Sequence, residues 1–579
     1  MAEPKASRRE HVSQLRKREQ LKRAAAAAAG EALPAAPAAA VQPPQADLPS
    51  VVPEARPGRR PPQPAVTAQA LALRQREISV SEFFTKNRHL LGFDNPGRAL
   101  LATVKEAVDN SLDACQEAHL LPEIQVEIRQ IEETRFRVIV QDNGPGIVRQ
   151  QIPKIFGKLL YGSKFHTLKQ SRGQQGIGIS AAGMYGQLTT GKPVAISSCS
   201  RPGKPAHYYE IQLDTERNQP IVLKEAEVEW QGKGCGTRVE IELEGRYQKG
   251  RHSIDTYLQQ TALANPHVEI RYTAPKGDPM HFPRVVEVLP PDPREIRPHP
   301  YGVELGILQG MLKASKGQRL ASFLSQAFSR VSRRTALEIS ARAELKPEAK
   351  VHLLTAEEAE RLFRAIGRTK LMAPPTDCLS PIGENVILKS LREQIRADFY
   401  TAKSRSPVVY RGNPFLVEAG IAYGGELAAD EPIALHRFAN RVPLLFQQSA
   451  CAMTDAALSI DWKGYGLAQS RGALPVGPAV LLVHVASVWV PFTSESKEAV
   501  ADYEEIVREI RLALQECGRQ LGRFVQRRRR DAEAERKRTY IERYIPYIGE
   551  ALQEILELGD GQRSRLEENL KSMLERSRS

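Results

Sequence analysis

At 579 residues the chain is too long for a single hydrophobic core, so three or four domains are expected, and a composition 41% hydrophobic and 26% charged suits a soluble globular protein. Six cysteines without a CxxC pair or a histidine at ligand spacing argue against a metal site or disulfide framework and for a reducing interior. The formal net charge of +14 favours a polyanionic partner, nucleic acid or an anionic membrane surface, or else marks a solvated basic surface.

The charge is concentrated. Residues 1–23 carry +5, residues 310–370 carry +7 and residues 519–538 carry +6, leaving the rest slightly acidic, so any nucleic-acid contact is expected to be local. The first 23 residues lack the apolar core of a secretory signal. Residues 24–66 are Ala/Pro-dominated, with ten prolines between Pro34 and Pro64, and residues 1–70 read as a disordered tail. Order is expected from about Ile78.

Asn95 to Glu117 reads as a helix with an apolar stripe of Leu100, Leu101, Val104, Ala107, Val108, Leu112 and Cys115. Strand-like alternation follows at 124–131, 135–141, 193–200, 207–214, 221–229 and 237–243, an α+β region ending near Asp292. Residues 302–370 are helical in period, broken around Ser315–Gln318 and Leu345–Ala349. From Asp377 to about Gln526 helix and strand alternate again. The apolar window Pro475 to Phe492 holds three prolines and His484, which fits a buried central strand better than a membrane span of ~20 apolar residues. Residues 527–579 read as helical, broken at Gly559–Gly561, with apolar positions from Tyr540 to Leu556 along a helix that Pro546 is expected to interrupt.

Three motifs carry chemistry together although each is weak alone. Glu106 and Asn110 lie four apart on one helix face, where a carboxylate can act as general base on water and a carboxamide oxygen can ligate Mg2+; a plain polar face would look the same. Asp142, Gly144 and Gly146 follow a strand, where an acid can accept from an exocyclic amine and glycines let the backbone approach a flat ligand, or simply make a turn. Gly173, Gln174, Gln175, Gly176, Ile177, Gly178, Ile179 and Ser180 lead into a helix whose N-terminal amides suit phosphate, though the segment is not a Walker loop. Ser163 and Lys164 add a hydroxyl and a cation just upstream, and Thr237 opens a strand where it can bond near a base.

The order ExxxN helix, DxGxG strand end and GxxGxG lid within about 75 residues resembles the GHKL (Bergerat) ATPase fold of DNA gyrase B, MutL, histidine kinases and the large heat-shock chaperones. Beyond it, Ser81–Phe93, Asn95–Ala99, Phe156–Lys164, Pro298–Gly302, Gly412–Phe415, Arg437–Leu445, Asp461–Gly466 and Pro491–Ala499 are similar to B subunits of DNA topoisomerase VI, a match running from about residue 78 to 550.

The resemblance implies an α+β multidomain chain. Its parts are a GHKL α/β sandwich with an N-terminal strap (71–294), a helix–two-turn–helix insert (295–376), a ribosomal-S5-like transducer (377–526) and C-terminal helices that dock an A subunit (527–579). It further implies that Glu106 activates water, Asn110 holds Mg2+, Asp142 recognises adenine and Lys497 reaches ATP's γ-phosphate from the transducer. DNA contacts are expected at Arg330, Arg333 and Arg334 and at Trp462, Lys463 and Tyr465. The implied function is ATP-driven dimerisation of two B chains that captures one DNA duplex. That duplex passes through a double-strand break made by the A subunit of an A2B2 assembly, relaxing supercoils and decatenating DNA. The expected setting is cytoplasmic and nucleoid-associated, away from membranes. A chaperone or mismatch-repair ATPase and a non-catalytic scaffold are the competing readings.

Overall fold

The computed structural model describes residues 78–164, 167–173, 175–494 and 496–576. The expected tail, residues 1–70, and Gln174 of the lid lie outside the described residues.

A short helix, α1 (Val80–Lys86), precedes the long α2 (Pro96–Glu117). Asn95 caps α2 by accepting from Arg98 N at 2.9 Å, and Pro96 occupies the first turn, where its missing N–H would have no helical partner. The expected apolar stripe from Leu100 to Cys115 is buried throughout. Then come β1 (Glu123–Gln130), β2 (Arg135–Asp142), α3 (Ile152–Gly157), α4 (Gly178–Thr190), β3 (Val194–Cys199), β4 (Ala206–Asp214), β5 (Gln219–Val228), β6 (Gly236–Glu244), α5 (Ile254–Ala264), β7 (Glu269–Thr273) and β8 (Met280–Phe282). The eight strands form one sheet in the order β5-β4-β3-β6-β2-β1-β7-β8, with β1 and β7 parallel and the other pairs antiparallel. Period-two burial of Ile124, Val126 and Ile128 turns one face of β1 inward, and α2, α4 and α5 complete that core.

The basic insert holds four helices, α6 (Leu305–Ala314), α7 (Leu320–Ala327), α8 (Arg333–Arg342) and α9 (Ala356–Arg368), around its own core. Two breaks fall where the periodicity lapses. A third, between α7 and α8, was not expected: the helix ends where Phe328 turns extended (φ −116°) and inward with Val331, and Arg330 between them takes a left-handed backbone (φ +59°).

The next region comprises α10 (Glu384–Gln394), β9 (Phe399–Ser404), β10 (Val408–Tyr410), β11 (Asn413–Tyr423), β12 (Ala434–Ala439), β13 (Val442–Pro443), α11 (Ala452–Leu458) and β14 (Ala479–Ser487). Its sheet runs β10-β11-β14-β12-β13, with β9 also on β11. As expected of the apolar window, β14 is central and buried at every position.

Helix α12 (Glu504–Ile555) corrects two expectations. It runs unbroken for 52 residues, so the boundary at 526/527 falls inside one helix, and Pro546 does not interrupt it. An interior proline costs ~3 kcal/mol. That cost is offset where α13 (Asp560–Arg576) folds back: Ile545 is buried, and Gly549 lies so close to Glu567 that an added Cβ would meet Oε1 at 2.6 Å. The break between the two helices spans 556–559, and Gly561 lies within α13.

Candidate active site

The end of β2, the start of β6, one face of α2, the N-terminus of α4 and the loop after β14 converge on a cavity of about 330 Å³. Glu106 and Asn110, one turn apart on α2, both line it, as the i, i+4 spacing requires. The Glu106 carboxylate rests against the first residue of α4: a Cβ on Gly178 would fall 1.7 Å from its Oε2, so any larger residue there would push the carboxylate out of its place. The opening amides of α4 have no intrahelical acceptors and bring partial positive charge to that wall.

Asp142 ends β2, nearly buried. Its Oδ1 accepts from Gly144 N (2.9 Å) and Thr237 N (3.1 Å), and its Oδ2 from Ser111 Oγ (2.9 Å). Burial raises its pKa, and those three donors oppose the rise. Gly146 turns with φ +71° and passes so close to β3 that a Cβ would stand 2.1 Å from Cys199 O.

Lys497 enters from the other sheet's region. It takes a left-handed backbone (φ +53°), lines the cavity beside Glu106 and donates from Nζ to Arg172 O at 3.1 Å. Burial lowers its pKa, against the opposing pull of the Glu106 charge. A non-glycine residue held in that conformation is strained, which the surrounding contacts sustain.

Residues 96–245 match the family described as "Histidine kinase-, DNA gyrase B-, and HSP90-like ATPase", and residues 374–537 that described as "Topoisomerase VI B subunit, transducer". A Methanococcoides burtonii protein, named as the B subunit of type 2 DNA topoisomerase 6, is 50% identical over 494 residues, covering 85% of this chain and 79% of its own. Proteins of the same name from Archaeoglobus fulgidus (47% over 485 residues, 84% and 80% covered) and Pyrococcus horikoshii (39% over 521, 82% and 91%) are similar to it. The chain belongs to the family of type 2 DNA topoisomerase 6 B subunits.

It is therefore an ATP-binding and ATP-hydrolysing type II topoisomerase subunit, which removes the chaperone, mismatch-repair and inert-scaffold readings. Within this topoisomerase 6 B-family chain, the cavity gathers Glu106, Asn110, Asp142, Gly146, Ser163, Lys164, Gly173, Gln175, Gly176, Ile177, Gly178, Ile179, Ser180, Thr237 and Lys497. Gly144 is not among the lining residues; its amide serves to hold Asp142. Lys164 lines the cavity but is not a free cation, since Nζ is bonded to Asp113 (2.7 Å) and Glu117 (2.8 Å). The Ser180 hydroxyl is likewise committed, donating to Ile155 O and Lys158 O.

None of the six residues expected to touch DNA lines this cavity. Trp462 requires a correction: it is fully buried and its indole N–H donates to Ala457 O at 2.8 Å, so it is a core residue with no face for DNA. Tyr465 is half-buried, its ring packed on Gly518 of α12, where a Cβ would come within 2.5 Å. Lys463, Arg330, Arg333 and Arg334 are exposed, with Arg330 Nε donating to Ala373 O.

Several residues in and beside the cavity were given no role by the motif reading. Ser111, the residue after Asn110, bonds Asp142. Arg98 on α2 pairs with Glu498, the neighbour of Lys497, and its guanidinium lies 4.9 Å from the Phe446 ring. Arg172 pairs with Asp113 at 2.8 Å; burial alone would raise the Asp113 pKa, but Lys164 and Arg172 together hold it below the usual carboxylate range. Each partner lies far away in sequence, so spacing carries no trace of it.

Proposed function

We propose that the cavity binds ATP with its adenine at Asp142 and its phosphates beneath the lid from Gly173 to Ser180. Asp142 Oδ2 carries one bond among the described residues, leaving acceptor capacity for an exocyclic amine. Gly146 and Gly178 line the cavity with bare backbone, the one pressed against Cys199 O and the other against the Glu106 carboxylate, which lets a flat base and a phosphate chain approach the main chain. Glu106 takes the proton of the attacking water, giving ADP and inorganic phosphate. Mg2+ fits at Asn110: no cluster of three His, Cys, Asp or Glu side chains exists among the described residues, so the ion's other ligands would be phosphate oxygens and water, a usual arrangement for Mg2+.

The observation that carries this reading is Lys497. A cation from the loop after β14 shares a cavity with a general-base candidate on α2, which lets the second region sense a terminal phosphate held in the first. We assign residues 78–294 to the ATPase part, 295–376 to the insert, and the sheet with α12 to the transducer. ATP then drives dimerisation of two chains that traps a duplex, the A subunit in an A2B2 assembly makes the break, and passage relaxes or decatenates DNA at the nucleoid. No helix among the described residues is long and apolar enough to cross a membrane.

For the DNA, Arg333 and Arg334 occupy the first turn of α8, where positive charge opposes the helix dipole, and neither has an ion pair among the described residues. A phosphate backbone would relieve that repulsion, with Arg330 and Lys463 as further exposed cations. For the A subunit, α12 exposes Tyr540, Ile541, Tyr544, Tyr547 and Ile548 although α13 packs beside them.

Glu106→Ala tests the site. Hydrolysis should fall ~10²–10⁴-fold while calorimetry still registers ATP binding and scattering still registers ATP-dependent dimers. A rate close to that of the unmodified chain would remove Glu106 as the base.

A further inference from the structure

A second cavity, of about 480 Å³, adjoins the nucleotide cavity behind the lid. Lys164 and Asp113 line both. Its walls come from the lid segment (Lys169, Arg172) and from the second sheet's region (Ser380, Asn440, Arg441). The same seam is closed by direct bonds: Asn440 Nδ2 donates to Ser171 O at 3.0 Å, and Gln170 exchanges two hydrogen bonds with Ser380.

The charges here do not balance. Four cations, Lys164, Lys169, Arg172 and Arg441, line the cavity against three carboxylates: Asp113 takes both Lys164 and Arg172, Glu117 takes Lys164 again, and Asp292 lies 3.2 Å from His119, an ion pair only when that imidazole is protonated. Arg441 and Lys169 have no ion pair among the described residues. Arg441 is nonetheless buried, only 4% exposed. The bonds of its guanidinium all leave from Nη2, to Ser380 O, Ser380 Oγ and Pro381 O, and its Nε is sealed without a partner among the described residues, as is that of Arg172. Glu418, the acid whose charge favours the Arg441 cation, is already saturated by Ile382 N, Gly383 N, Ser404 Oγ and His484. Burying a guanidinium among neutral oxygens is costly without a counter-charge. The same crowding of cations acts on the neighbouring groups: burial, then the Arg172 charge, brings the Arg441 pKa down to about 9, and burial, then Arg441 and Arg172, brings His267 down to about 2.

We propose that this cavity is an oxyanion site that takes inorganic phosphate between Lys169 of the lid segment and Arg441 of the second region. An anion there ties lid to transducer, so its departure loosens the seam that Asn440 and Gln170 close. The phosphate comes either from hydrolysis next door or from the medium. The site itself stands on Arg441 and Lys169, apart from the assignment of the nucleotide cavity.

The full-length chain, first saturated with magnesium and a non-hydrolysable ATP analogue so that the lid's own phosphate cradle is filled, is titrated with inorganic phosphate and with sulfate by calorimetry. Failure of the analogue to bind counts against the nucleotide site alone. One equivalent of oxyanion per chain is expected, weakened about tenfold or more by Arg441→Met, the loss of a charge-assisted hydrogen bond, and severalfold by Lys169→Ala. Thermal melts check that both variants fold, and the half-exposed Lys169 carries the test if Arg441→Met does not. In single-turnover hydrolysis followed with a phosphate sensor, a release lag that shortens in Lys169→Ala identifies product phosphate as the occupant, and equal release with binding intact identifies phosphate of the medium. No oxyanion binding to the analogue-saturated chain, or binding unchanged in both variants, overturns the proposal.

Discussion

The two sheets of this chain each bury a carboxylate, and the two acids behave in opposite ways. Asp142, at the edge of the nucleotide cavity, has three donors on two oxygens and a pKa raised by burial. Glu418, in the centre of the second sheet, has four donors; burial works to raise it, but His484, Ser404 and the amide of Gly383 bring it down to about 2. His484 is locked in turn, with Nε2 accepting from Arg441 N at 3.0 Å and Nδ1 facing Glu418. A saturated acid belongs to the framework, while an acid with capacity left over beside a cavity is available to a ligand. The first sheet is open at one end, beside the cavity. The second is sealed, and sends two segments, Pro443 to Phe446 and Ser496 to Glu498, to line its neighbour's cavity.

The largest effect should come from breaking the sealed network. Glu418→Ala strands His484 and the amides at the start of α10 and should cost about 3–5 kcal/mol of stability, read from denaturation midpoints. Because the folded pKa of about 2 lies below the ordinary 4.5, the stabilisation is present above pH 4.5 and is lost as pH falls toward 2. A loss under about 1 kcal/mol, the size of one ordinary hydrogen bond, would show that the network is not the keystone of that sheet.

On α2, beside the open sheet, the sign reverses at Asp109, buried against Tyr257 Oη at 3.2 Å. Burial, reinforced by Glu106 and opposed by Lys105, raises its pKa from 3.8 to about 7. Its contribution is therefore present below pH 3.8 and lost as pH rises through 7, at most about 4 kcal/mol by linkage. Asp109→Asn, neutral throughout, should gain on the unmodified chain in melting temperature as pH climbs from 4 to 7. Parallel pH profiles would mean that Asp109 ionises freely in the fold.

Lys497→Ala probes the cation that reaches from the second region into the first region's cavity. Turnover should drop about 10²-fold, the loss typical of a single positioned donor to transition-state charge, and ATP-dependent compaction in scattering should weaken. Identical compaction in both proteins would rule Lys497 out as the sensor. The smallest change belongs to the insert. Replacing Arg330, Arg333 and Arg334 with Glu should flatten the salt dependence of DNA binding by about 0.9 in log–log slope for each phosphate no longer neutralised, leaving sequence preference alone. An unchanged slope would make the four-helix insert a spacer.

Local rules decided much of this chain. The i, i+4 pair Glu106 and Asn110, the Asn95–Pro96 helix start, the alternation along β1 and the apolar run of β14 were each legible because neighbours in sequence remain neighbours in a helix or strand. Glycine spacing located the lid for the same reason. What the tertiary structure alone decided is which polar groups remain free. Trp462 looked like a surface aromatic until α12 and its neighbours closed over it, and Lys164 looked like a phosphate ligand until Asp113 and Glu117, about fifty residues back, claimed it. Pro546 looked like a helix end until α13 packed on that stretch. Arg98 with Glu498, and Lys169 with Arg441, are separated by hundreds of residues and meet only in the folded chain. Residue type and periodicity determine the elements, but the partner of a charge is set by long-range packing, and that partner determines whether the charge binds a ligand or holds the fold.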